Sequence, residues 1–481
     1  MHKNKRWLLT IGALITSLSL TTSGFISPQI SAAQQVVIPQ NLSPTGIPPS
    51  SEKLAVFNRI WGLFNANYVF FQAKGINWNA EKSQYEPQAL AQKTWPQFFA
   101  VVDNMIASLH DDHSELIGAP LPPLYYPPIV TTWLGRQLIV SWSKDPKKIP
   151  IGSIIVSVDH QPLWQLKNQL PYSTISLDPL KSDVNQPIVL GLWNPNTLTT
   201  TSVTLPVTSF SKGPAFYPFQ VAPTNRLWDW YPGFTYGKPI GTDPNSIRVA
   251  QMPDGILYVY VPYMYLTDDT TSNGGKLQQQ FAQVIKLAQK AKGMVLDLRG
   301  NGGGFGIPAI WFAQHFYTKT ESPLQTNGRI PDPENDTVPQ GFTAWQAYIL
   351  NPLTPHLSLP VALLTNDQDA SAAEMLTVLL GTAPNVQSFG TTTSGMLGSP
   401  NFYQVMKGVN VQISALEFVT SSGQQIEGVG ITPDHIVEYS YSQLVNELHR
   451  VEKGQTKALE QGDPVLQSAL TWLHQKINAT D

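Results

Sequence analysis

Ser371 stands where an apolar stretch, a polar loop and a helical stretch meet, in LLTNDQDASAAEML over residues 363–376. A serine at a helix start usually caps the helix, because its hydroxyl accepts a backbone N–H. The same position suits a nucleophile, since exposed N–H groups and the helix dipole favour negative charge on a nearby oxygen. Nucleophilic catalysis would also need a base, an orienting acid and an oxyanion hole, so the choice depends on the rest of the chain.

A run of glycines, RGNGGGFG over residues 299–306, follows a second apolar stretch. A phosphate cradle would need a P-loop lysine or the glycine spacing of a dinucleotide fold, and the run has neither. An oxyanion hole is the chemical alternative, because consecutive glycines let backbone N–H groups converge without obstruction by side chains. The run alone is equally compatible with a plain loop.

Strands and helices alternate after residue 247, which predicts right-handed crossovers and a largely parallel sheet. The strands are GILYVYVPYM, GMVLDL and PVALLT, and the helix GKLQQQFAQVIKLAQKAK between the first two is amphipathic. Ligands gather at the carboxyl ends of the strands in such sheets. The glycine run and the loop over residues 367–371 both follow strands and open helices, so we expect them at the same edge.

The chain is long enough for two or three domains, since 481 residues exceed what one hydrophobic core usually holds. Helical spacing of apolar residues predicts a helical domain over residues 52–116, and short alternating strands predict a β-rich domain over residues 131–210. Residues 211–247, dense in proline, glycine and aromatics, are predicted to be a connection. The α/β core is predicted over residues 248–440 and a helical tail over residues 441–481.

Composition restricts the partners and the compartment. Only 13% of the residues are charged and the net charge is −3, which argues against nucleic acid or an anionic membrane surface as a partner. A basic start followed by an apolar stretch and small residues predicts a signal peptide over residues 1–33, with an uncleaved membrane anchor as the alternative. Residues 34–51 are predicted to be a flexible leader.

The chain contains no cysteine, which excludes disulfides, zinc–thiolate sites and cysteine nucleophiles. The predicted signal peptide indicates a secreted or periplasmic protein, and we expect no metal, no cofactor and no membrane contact once the signal is removed. The oligomeric state cannot be read from the sequence.

Three blocks occur in order along the chain: VLDLRGNGGG, then LTNDQDASAAEM, then IEGVGITPDHIV. Together they resemble the catalytic domain of the C-terminal (tail-specific) processing peptidase and tricorn-core peptidase family. The resemblance implies a multidomain α/β (α+β) fold, with a helical N-terminal unit, a PDZ-like β-rich domain and a crotonase-like catalytic core. The PDZ likeness is carried by IPIGSIIVSVDHQPLWQLKNQL, although the carboxylate-binding loop of an ordinary PDZ domain is not evident.

The family uses two catalytic schemes, and the residues favour the one that lacks a lysine. Tail-specific peptidases have a serine–lysine dyad, whose lysine follows the serine in a Gly-Lys-Gly-like stretch. Here that stretch is GTTTSGMLGSP, with Met396 where the lysine is expected. Lys407 is nearby, but the pattern NFYQVMKGVNVQIS places it at the turn of a hairpin. The dyad is therefore predicted to be absent.

The tricorn-like branch instead has a serine–histidine–glutamate arrangement with a distant histidine. Of the nine histidines, His113 lies in SLHDDHSELIG, which resembles the family's Asp-Gly-His-Thr/Ser block. The resemblance makes His113 the base, although Asp112 stands where glycine is usual, and His110 is its competitor. Glu427 matches the family's acid, which would orient the imidazole and stabilise the imidazolium. Ser114 would bridge the histidine and the glutamate, as an extra serine does in that branch.

The same resemblance gives roles to the residues around the nucleophile. The oxyanion hole would come from the N–H of Ala372 and from the glycine run, with Gly302 or Gly303 as the donor. Asp297 and Arg299 belong to the motif and are predicted to brace the loop as an ion pair.

Three functions are compatible with these motifs. The leading hypothesis is an exported serine endopeptidase that cleaves unfolded or extended polypeptides through an acyl-enzyme on Ser371. The alternative is a non-hydrolytic ligand- or peptide-binding member of the fold, as the interphotoreceptor retinoid-binding protein is in this family. A PDZ-driven scaffold with a decayed catalytic domain is the third. The complete serine, histidine and glutamate set favours the first.

Overall fold

A computed structural model describes residues 48–167, 180, 182, 184–195, 197–210, 237–271, 273–453 and 462–479. The predicted signal peptide, most of the predicted leader and most of the predicted connection over residues 211–247 lie outside this part of the chain. No helix within it combines the length and the apolar character needed to cross a membrane. The helices are α1 (Ser50–Asn67), α2 (Trp78–Ala91), α3 (Trp95–Ala107), α4 (Leu163–Lys167), α5 (Gly275–Ala288), α6 (Gly306–Ala313), α7 (Ala372–Gly381), α8 (Tyr441–Glu452) and α9 (Pro464–Asn478).

Most of the strands belong to three larger sheets. They are β1 (Glu115–Ile117), β2 (Leu124–Tyr126), β3 (Ile129–Leu134), β4 (Gln137–Ser143), β5 (Ile154–Val158), β6 (Gln161–Pro162), β7 (Ile188–Asn194), β8 (Thr199–Leu205), β9 (Thr208–Phe210), β10 (Lys238–Pro239), β11 (Arg248–Gln251), β12 (Ile256–Tyr260), β13 (Gly293–Asp297), β14 (Glu321–Pro331), β15 (Pro339–Phe342), β16 (Gln346–Leu350), β17 (Val361–Thr365), β18 (Val386–Gly390), β19 (Ser399–Met406), β20 (Val409–Thr420) and β21 (His435–Ile436). The mixture of helices and sheets confirms the predicted α/β fold class.

A central sheet with the order β10-β11-β12-β13-β17-β18-β21 carries the two candidate loops. From β12 to β21 its neighbouring strands pair in parallel, and β13 pairs with β17 in a register that begins at Met294↔Val361. Every residue of β12, β13 and β17 is buried, as expected of parallel strands covered on both faces. Because adjacent parallel strands end at the same edge, the loops after β13 and β17 meet there, which confirms the expectation from the sequence.

Helices cover both faces of the central sheet. Helices α5, α6 and α7 pack on one face around a cluster that includes Phe281, Phe312 and Leu376. Helix α9 covers the other face, where Leu466 and Leu473 join a cluster with residues of β12, β13 and β17. The sequence predicts a helical tail here, whereas α9 is a layer of the core.

A second sheet joins the N-terminal helices to the core. Its order is β1-β20-β14-β15, with β16 paired to β14 and β19 paired to β20. Helices α1 to α3 bury a cluster of aromatic side chains, among them Phe57 and Phe98, against Val411 and Ile413 of β20. Since β1 pairs with β20, the loop that leads from α3 into β1 is held against this sheet.

A third sheet forms the β-rich region, with the order β3-β4-β5-β7-β8 and with β6 paired to β5. Helix α8 packs on this sheet through Leu444 and Leu448, which contact Ile139 and Ile154. The likeness to a PDZ domain stays a prediction, because the chain beyond α4 is described only in part.

A buried ion cluster ties α9 to the end of β13. Arg299 donates hydrogen bonds to both carboxylate oxygens of Asp297 and of Asp463, at distances between 2.6 and 3.0 Å. The ion pair predicted between Asp297 and Arg299 is therefore present. Asp463 also caps α9, because its side chain accepts from the N–H groups of Val465 and Leu466.

We expect Asp463→Ala to lower the free energy of unfolding by about 3–5 kcal/mol, because it breaks a buried pair and removes a helix cap. Urea unfolding measures the loss. Lys319→Ala is the matched control, since Lys319 pairs with Glu321 while its side chain is 82% exposed. That substitution should leave the unfolding midpoint unchanged, and equal losses for the two variants would contradict a structural role for the buried cluster.

Candidate active site

Ser371 lies between β17 and α7 in a backbone conformation that serines rarely adopt. Its φ is 56° and its ψ is −120°, and such a strained conformation typically costs about 1–3 kcal/mol. Ser371 stands at the N-cap of α7, but its side chain makes no capping hydrogen bond. Its backbone N–H donates to the carbonyl oxygen of Met396 at 2.9 Å. The capping interpretation is therefore wrong, and the hydroxyl of this half-buried residue is free for chemistry.

The glycine run packs directly against Ser371. A Cβ atom at Gly303 would lie 2.6 Å from the Cβ atom of Ser371 and 2.8 Å from the carbonyl oxygen of Ala370. The φ of Gly303 is 94°, which side chains disfavour. The N–H of Ala370 donates to the carbonyl oxygen of Asn301 at 3.0 Å, so the two loops are also bonded to each other. The close approach of the two backbones requires glycine at position 303.

Two backbone N–H groups next to this contact are available to an oxyanion. Neither Gly302 nor Ala372 donates its N–H to an acceptor in the described part of the chain. Ala372 begins α7, where the helix dipole also favours negative charge. The N–H of Gly303, the alternative donor predicted from the sequence, is already donated to Oδ1 of Asn301 at 2.9 Å. The hydrogen bonds therefore favour Gly302 and Ala372 as donors, while Gly303 has a steric role.

Glu374, which the motifs do not single out, braces the loop that holds Ser371. Its side chain is fully buried in the first turn of α7 and accepts from the N–H groups of Gly395 and Met396, both at 2.7 Å. Burial raises the pKa of Glu374, and hydrogen bonds from Thr393 and from these N–H groups lower it. Because the carbonyl of Met396 receives the N–H of Ser371, Glu374 indirectly fixes the backbone of the serine.

His113 lies in the loop that leads from α3 into β1. Its carbonyl oxygen accepts from Nε2 of Gln412 at 3.0 Å, and its N–H donates to Oδ1 of Asp111 at 3.0 Å. The residue is half-buried, and Nδ1 is buried without a hydrogen-bond partner among the described residues. Burial lowers the pKa of His113, the Asp111 carboxylate raises it and Lys74 lowers it. The neutral imidazole favoured by burial is the form that acts as a base.

His110, the competing histidine, is exposed and has a φ of 51°. Its carbonyl oxygen accepts from Nζ of Lys74 at 2.9 Å, so its backbone is bonded to the turn that follows α1. An exposed imidazole is the weaker candidate for a base, since a general base has to reach the reacting proton inside a cleft. The structure therefore favours His113.

Glu427 is buried and accepts hydrogen bonds on both carboxylate oxygens. Oε2 accepts from the N–H of Gly398 at 3.1 Å, and Oε1 accepts from Nζ of Lys74 at 3.0 Å. Burial and the Asp111 carboxylate raise the pKa of Glu427 to about 7, against the lowering effects of Lys74 and Gly398. Lys74 and Asp111 thus shift the pKa of both His113 and Glu427, and each bonds directly to one of the two residues, Lys74 to Glu427 and Asp111 to the N–H of His113.

Among the described residues, the hydroxyl of Ser114 is hydrogen bonded to neither His113 nor Glu427, so the predicted bridge is not formed in this structure. This hydroxyl donates to Oδ2 of Asp111 at 3.0 Å and accepts from the N–H of Ser414 at 3.2 Å. In the described chain the Glu427 carboxylate accepts from Lys74 and Gly398 and not from His113, and Nδ1 of His113 has no partner there. Ser114 instead fixes Asp111 and the histidine loop to β20.

The sequence motifs do not identify two charged residues of the cluster, Asp111 and Lys74. Asp111 is visible in the histidine block, but the family pattern draws attention to Asp112, which is exposed. Lys74 lies in FFQAKGINW, a turn without any catalytic motif, more than 350 positions from Glu427 along the chain. Only the packing of α1 against β20 brings it to the site.

Lys407 and Met396 lie where the sequence patterns predict them. Lys407 is exposed at the turn between β19 and β20, and Met396 contributes its backbone, not a basic group, to the contact with Ser371. In the residues that the structure describes, no group of three or more His, Cys, Asp and Glu side chains is arranged to hold a metal ion.

Comparison with known families agrees with the motifs. Residues 255–437 match peptidase family S41, and residues 49–107 match the tricorn protease C1 domain. The second match covers all of α1 to α3, which is the unit that supplies Lys74.

Curated relatives match over shorter segments. The carboxy-terminal processing protease CtpA of Bacillus subtilis (strain 168) is 30% identical over 143 residues, which are 30% of this chain and 28% of that protein. The carboxy-terminal-processing protease of Bartonella bacilliformis is 33% identical over 149 residues, 31% of this chain and 32% of that protein. These matches span about a third of the relatives' length.

Solved structures extend the likeness of the fold to most of the chain. The crystal structure of mature CPAF has a TM-score of 0.61 and 14% sequence identity, and the match covers 85% of this chain and 98% of that chain. At that identity the likeness shows the fold alone.

Gly303→Ala should lower the free energy of unfolding by about 1–3 kcal/mol more than a strained glycine elsewhere, because its Cβ atom would overlap Ser371 and Ala370. Gly423→Ala is the matched control, since Gly423 has a φ of 83° and nothing lies within 4 Å of its Cβ position. Urea unfolding of both variants separates the cost of the backbone conformation from the cost of the overlap. Equal losses would contradict the close packing of the glycine run against the serine.

Proposed function

The chain carries a peptidase family S41 domain over residues 255–437, and on that premise we propose that it is a serine endopeptidase that forms an acyl-enzyme on Ser371. One observation carries the proposal. The serine is held in a strained conformation at a helix start without capping the helix, and it packs against a glycine run that leaves an N–H unpaired in the described residues. A structural serine would gain nothing from that arrangement.

The reaction follows from these roles. His113 takes the proton from the hydroxyl of Ser371 as the oxygen attacks the carbonyl carbon of the peptide bond. The negative charge that develops on the carbonyl oxygen is stabilised by the N–H groups of Gly302 and Ala372, and one such donor is typically worth about 3–4 kcal/mol of barrier. The imidazolium then protonates the leaving amine, the peptide C–N bond breaks, and water hydrolyses the acyl-enzyme with His113 again as the base.

Glu427 acts on His113 through its charge rather than through a direct hydrogen bond. Its carboxylate shares the buried cluster with the imidazole, and opposite charges interact strongly where water is excluded. An ionised Glu427 therefore favours the imidazolium that forms during attack. This role replaces the bridge through Ser114 that the sequence predicts.

The substrates that we propose are unfolded or extended polypeptides, encountered after export of the protein by its predicted signal peptide. Strand β19 begins three positions after Met396, whose carbonyl is bonded to Ser371. In the described residues β19 pairs with no strand other than β20, so no other strand competes with an extended chain for its second edge. A strand-like substrate could add to this edge beside the nucleophile.

Ser371→Ala should abolish hydrolysis of a casein-like substrate and labelling by a fluorophosphonate probe, with the unfolding midpoint little changed. Lys407→Ala is the control, because that lysine is exposed in a hairpin turn and should leave both activities near wild type. Absence of labelling in the wild-type protein would favour the non-hydrolytic alternative. An inactive Lys407→Ala variant would instead favour a lysine dyad.

The pH dependence of kcat/KM tests the base and the acid together. Burial lowers the pKa of His113 and raises that of Glu427 to about 7, and the active state has His113 neutral and Glu427 ionised. Activity should therefore fall as pH decreases below about 7 and approach a plateau above it. His113→Ala should lose nearly all activity and His110→Ala should keep most of it. The reverse ranking would identify His110 as the base.

A further inference from the structure

Lys74 reaches from the N-terminal helical unit into the catalytic cluster. Its Nζ atom donates to Oε1 of Glu427 at 3.0 Å and to the carbonyl oxygen of His110 at 2.9 Å. The same ammonium lies 5.4 Å from the centre of the Phe70 ring. The Lys74 side chain is 16% exposed and that of Glu427 is 2% exposed, so the pair is largely shielded from water.

The ionisable groups around Glu427 come from two separate segments of the N-terminal unit. The segment that follows α1 supplies Lys74 and the phenol of Tyr68, and the loop after α3 supplies Asp111 and His113. Within the described chain, Lys74 is the one basic side chain that forms an ion pair with either carboxylate. Lys74 thus bonds to the buried carboxylate of Glu427, while Asp111 bonds to the N–H of His113 and raises the pKa of its imidazole.

We propose that Lys74 is a positioning residue that holds Glu427 as a carboxylate beside His113, so that the N-terminal helical unit completes the catalytic site. The inference rests on the proposed peptidase function. It gives the contact between the helical unit and the core a role in the reaction, in addition to its role in packing.

Geometry is the first support for this role. Glu427 is held between two segments, with one oxygen on Lys74 and the other on the N–H of Gly398. Gly398 follows two positions after Met396, whose carbonyl fixes Ser371. Lys74 also binds the carbonyl of His110, three positions before the base. One ammonium thus bonds to both the acid and the loop of the histidine.

Electrostatics is the second support, because Lys74 lowers both the pKa of Glu427 and the pKa of His113. Burial and Asp111 raise the pKa of Glu427, and Lys74 lowers it. Burial lowers the pKa of His113, Asp111 raises it, and Lys74 lowers it again. The ammonium therefore favours an ionised Glu427 and a neutral His113, which is the resting state that the reaction needs. Without Lys74, the pKa of Glu427 and the pKa of His113 both rise, so both side chains are protonated more easily.

Lys74→Met should move the acid limb of the kcat/KM profile to higher pH by about one unit or more, because loss of an opposite charge typically shifts a carboxyl pKa by about 1–3 units. At pH 7 the loss should be about fivefold or more, and activity should return as the pH rises above the shifted pKa. Lys74→Arg keeps the charge and should keep the limb close to its wild-type position. KM should change less than kcat, since the proposal gives Lys74 a contact with Glu427 and none with the substrate.

Lys53→Met is the matched control for a purely structural effect. Lys53 is also a buried lysine of the helical unit, but it donates to the carbonyl oxygens of Leu90 and Gln92, away from the charged cluster. This variant should lower stability without moving the pH profile. An unshifted limb in Lys74→Met, or an equal shift in Lys53→Met, would overturn the proposal.

A double-mutant cycle shows whether Lys74 acts through Glu427. In a Glu427→Gln background there is no carboxylate to hold, so Lys74→Met should lower the rate of fluorophosphonate labelling by a much smaller factor than it does in wild type, and the remaining shift of the pH dependence should reflect only its effect on the pKa of His113. Additive losses in the two backgrounds would show that Lys74 acts elsewhere, and would overturn the proposal.

Stability against pH gives a readout that does not depend on catalysis. The folded-state pKa of Glu427, about 7, lies above its ordinary value, so the stability it contributes is present at low pH and lost as pH rises through about 7. Lys74→Met raises that pKa further, so its Tm should keep falling to higher pH than the Tm of wild type or of Lys53→Met. Parallel curves would overturn the proposal. If wild type does not label or hydrolyse but the Tm curves diverge, the peptidase function fails while the Lys74–Glu427 coupling stands.

Discussion

The parallel pairing of β13 with β17 is the constraint on which the rest of the site depends. It places the glycine run and the serine loop at the same sheet edge, where the two backbones come so close that a Cβ atom at Gly303 would lie 2.6 Å from that of Ser371. The end of β13 is joined to the helix that covers the other face of the sheet by Arg299, which binds Asp297 at the end of β13 and Asp463 at the start of α9. Buried ion pairs add little net stability, but removing one partner is costly, so this cluster specifies how α9 meets the sheet. The strain at Ser371 is tolerated because the neighbouring strands and the Glu374 carboxylate determine its backbone.

The parts of this structure that can be predicted from the sequence are those encoded locally. Strand β13 and strand β17 are short apolar stretches followed by polar loops and helical stretches, so the parallel sheet and the shared edge follow from periodicity and chain topology. The hairpin turn at Lys407 and the Asp297–Arg299 pair are equally local. The packing of α9 on the sheet does not follow from its own sequence, because its amphipathic pattern is equally compatible with a solvated tail. Its position on the sheet follows from Asp463, whose partner Arg299 is 164 positions away.

The contacts that could not be predicted join distant segments. The histidine loop reaches the core because β1 pairs with β20 nearly 300 positions away. In that position the hydroxyl of Ser114 donates to Asp111 and accepts from the N–H of Ser414, and it bonds to neither His113 nor Glu427. Gly302 and Gly303 are equivalent in the sequence, and only the folded loop shows that the N–H of Gly303 is already donated to Asn301. Motifs thus identify which residues are near the chemistry. The division of labour among them depends on hydrogen bonds that tertiary packing decides.

Burial creates the central electrostatic problem of this site. Taking His113 and Glu427 out of water disfavours the charged form of each, so burial alone would give a neutral imidazole beside a protonated acid. A protonated Glu427 would offer little to the imidazolium that must form when the serine attacks, and Asp111 alone makes its ionisation harder still. A positive charge next to the acid corrects this without charging the histidine. Lys74 occupies that position, and it does so from a helical unit that is separate in sequence from the serine and its glycine run. In the proposed mechanism, the active state of the core therefore depends on a charge that the N-terminal helical unit contributes.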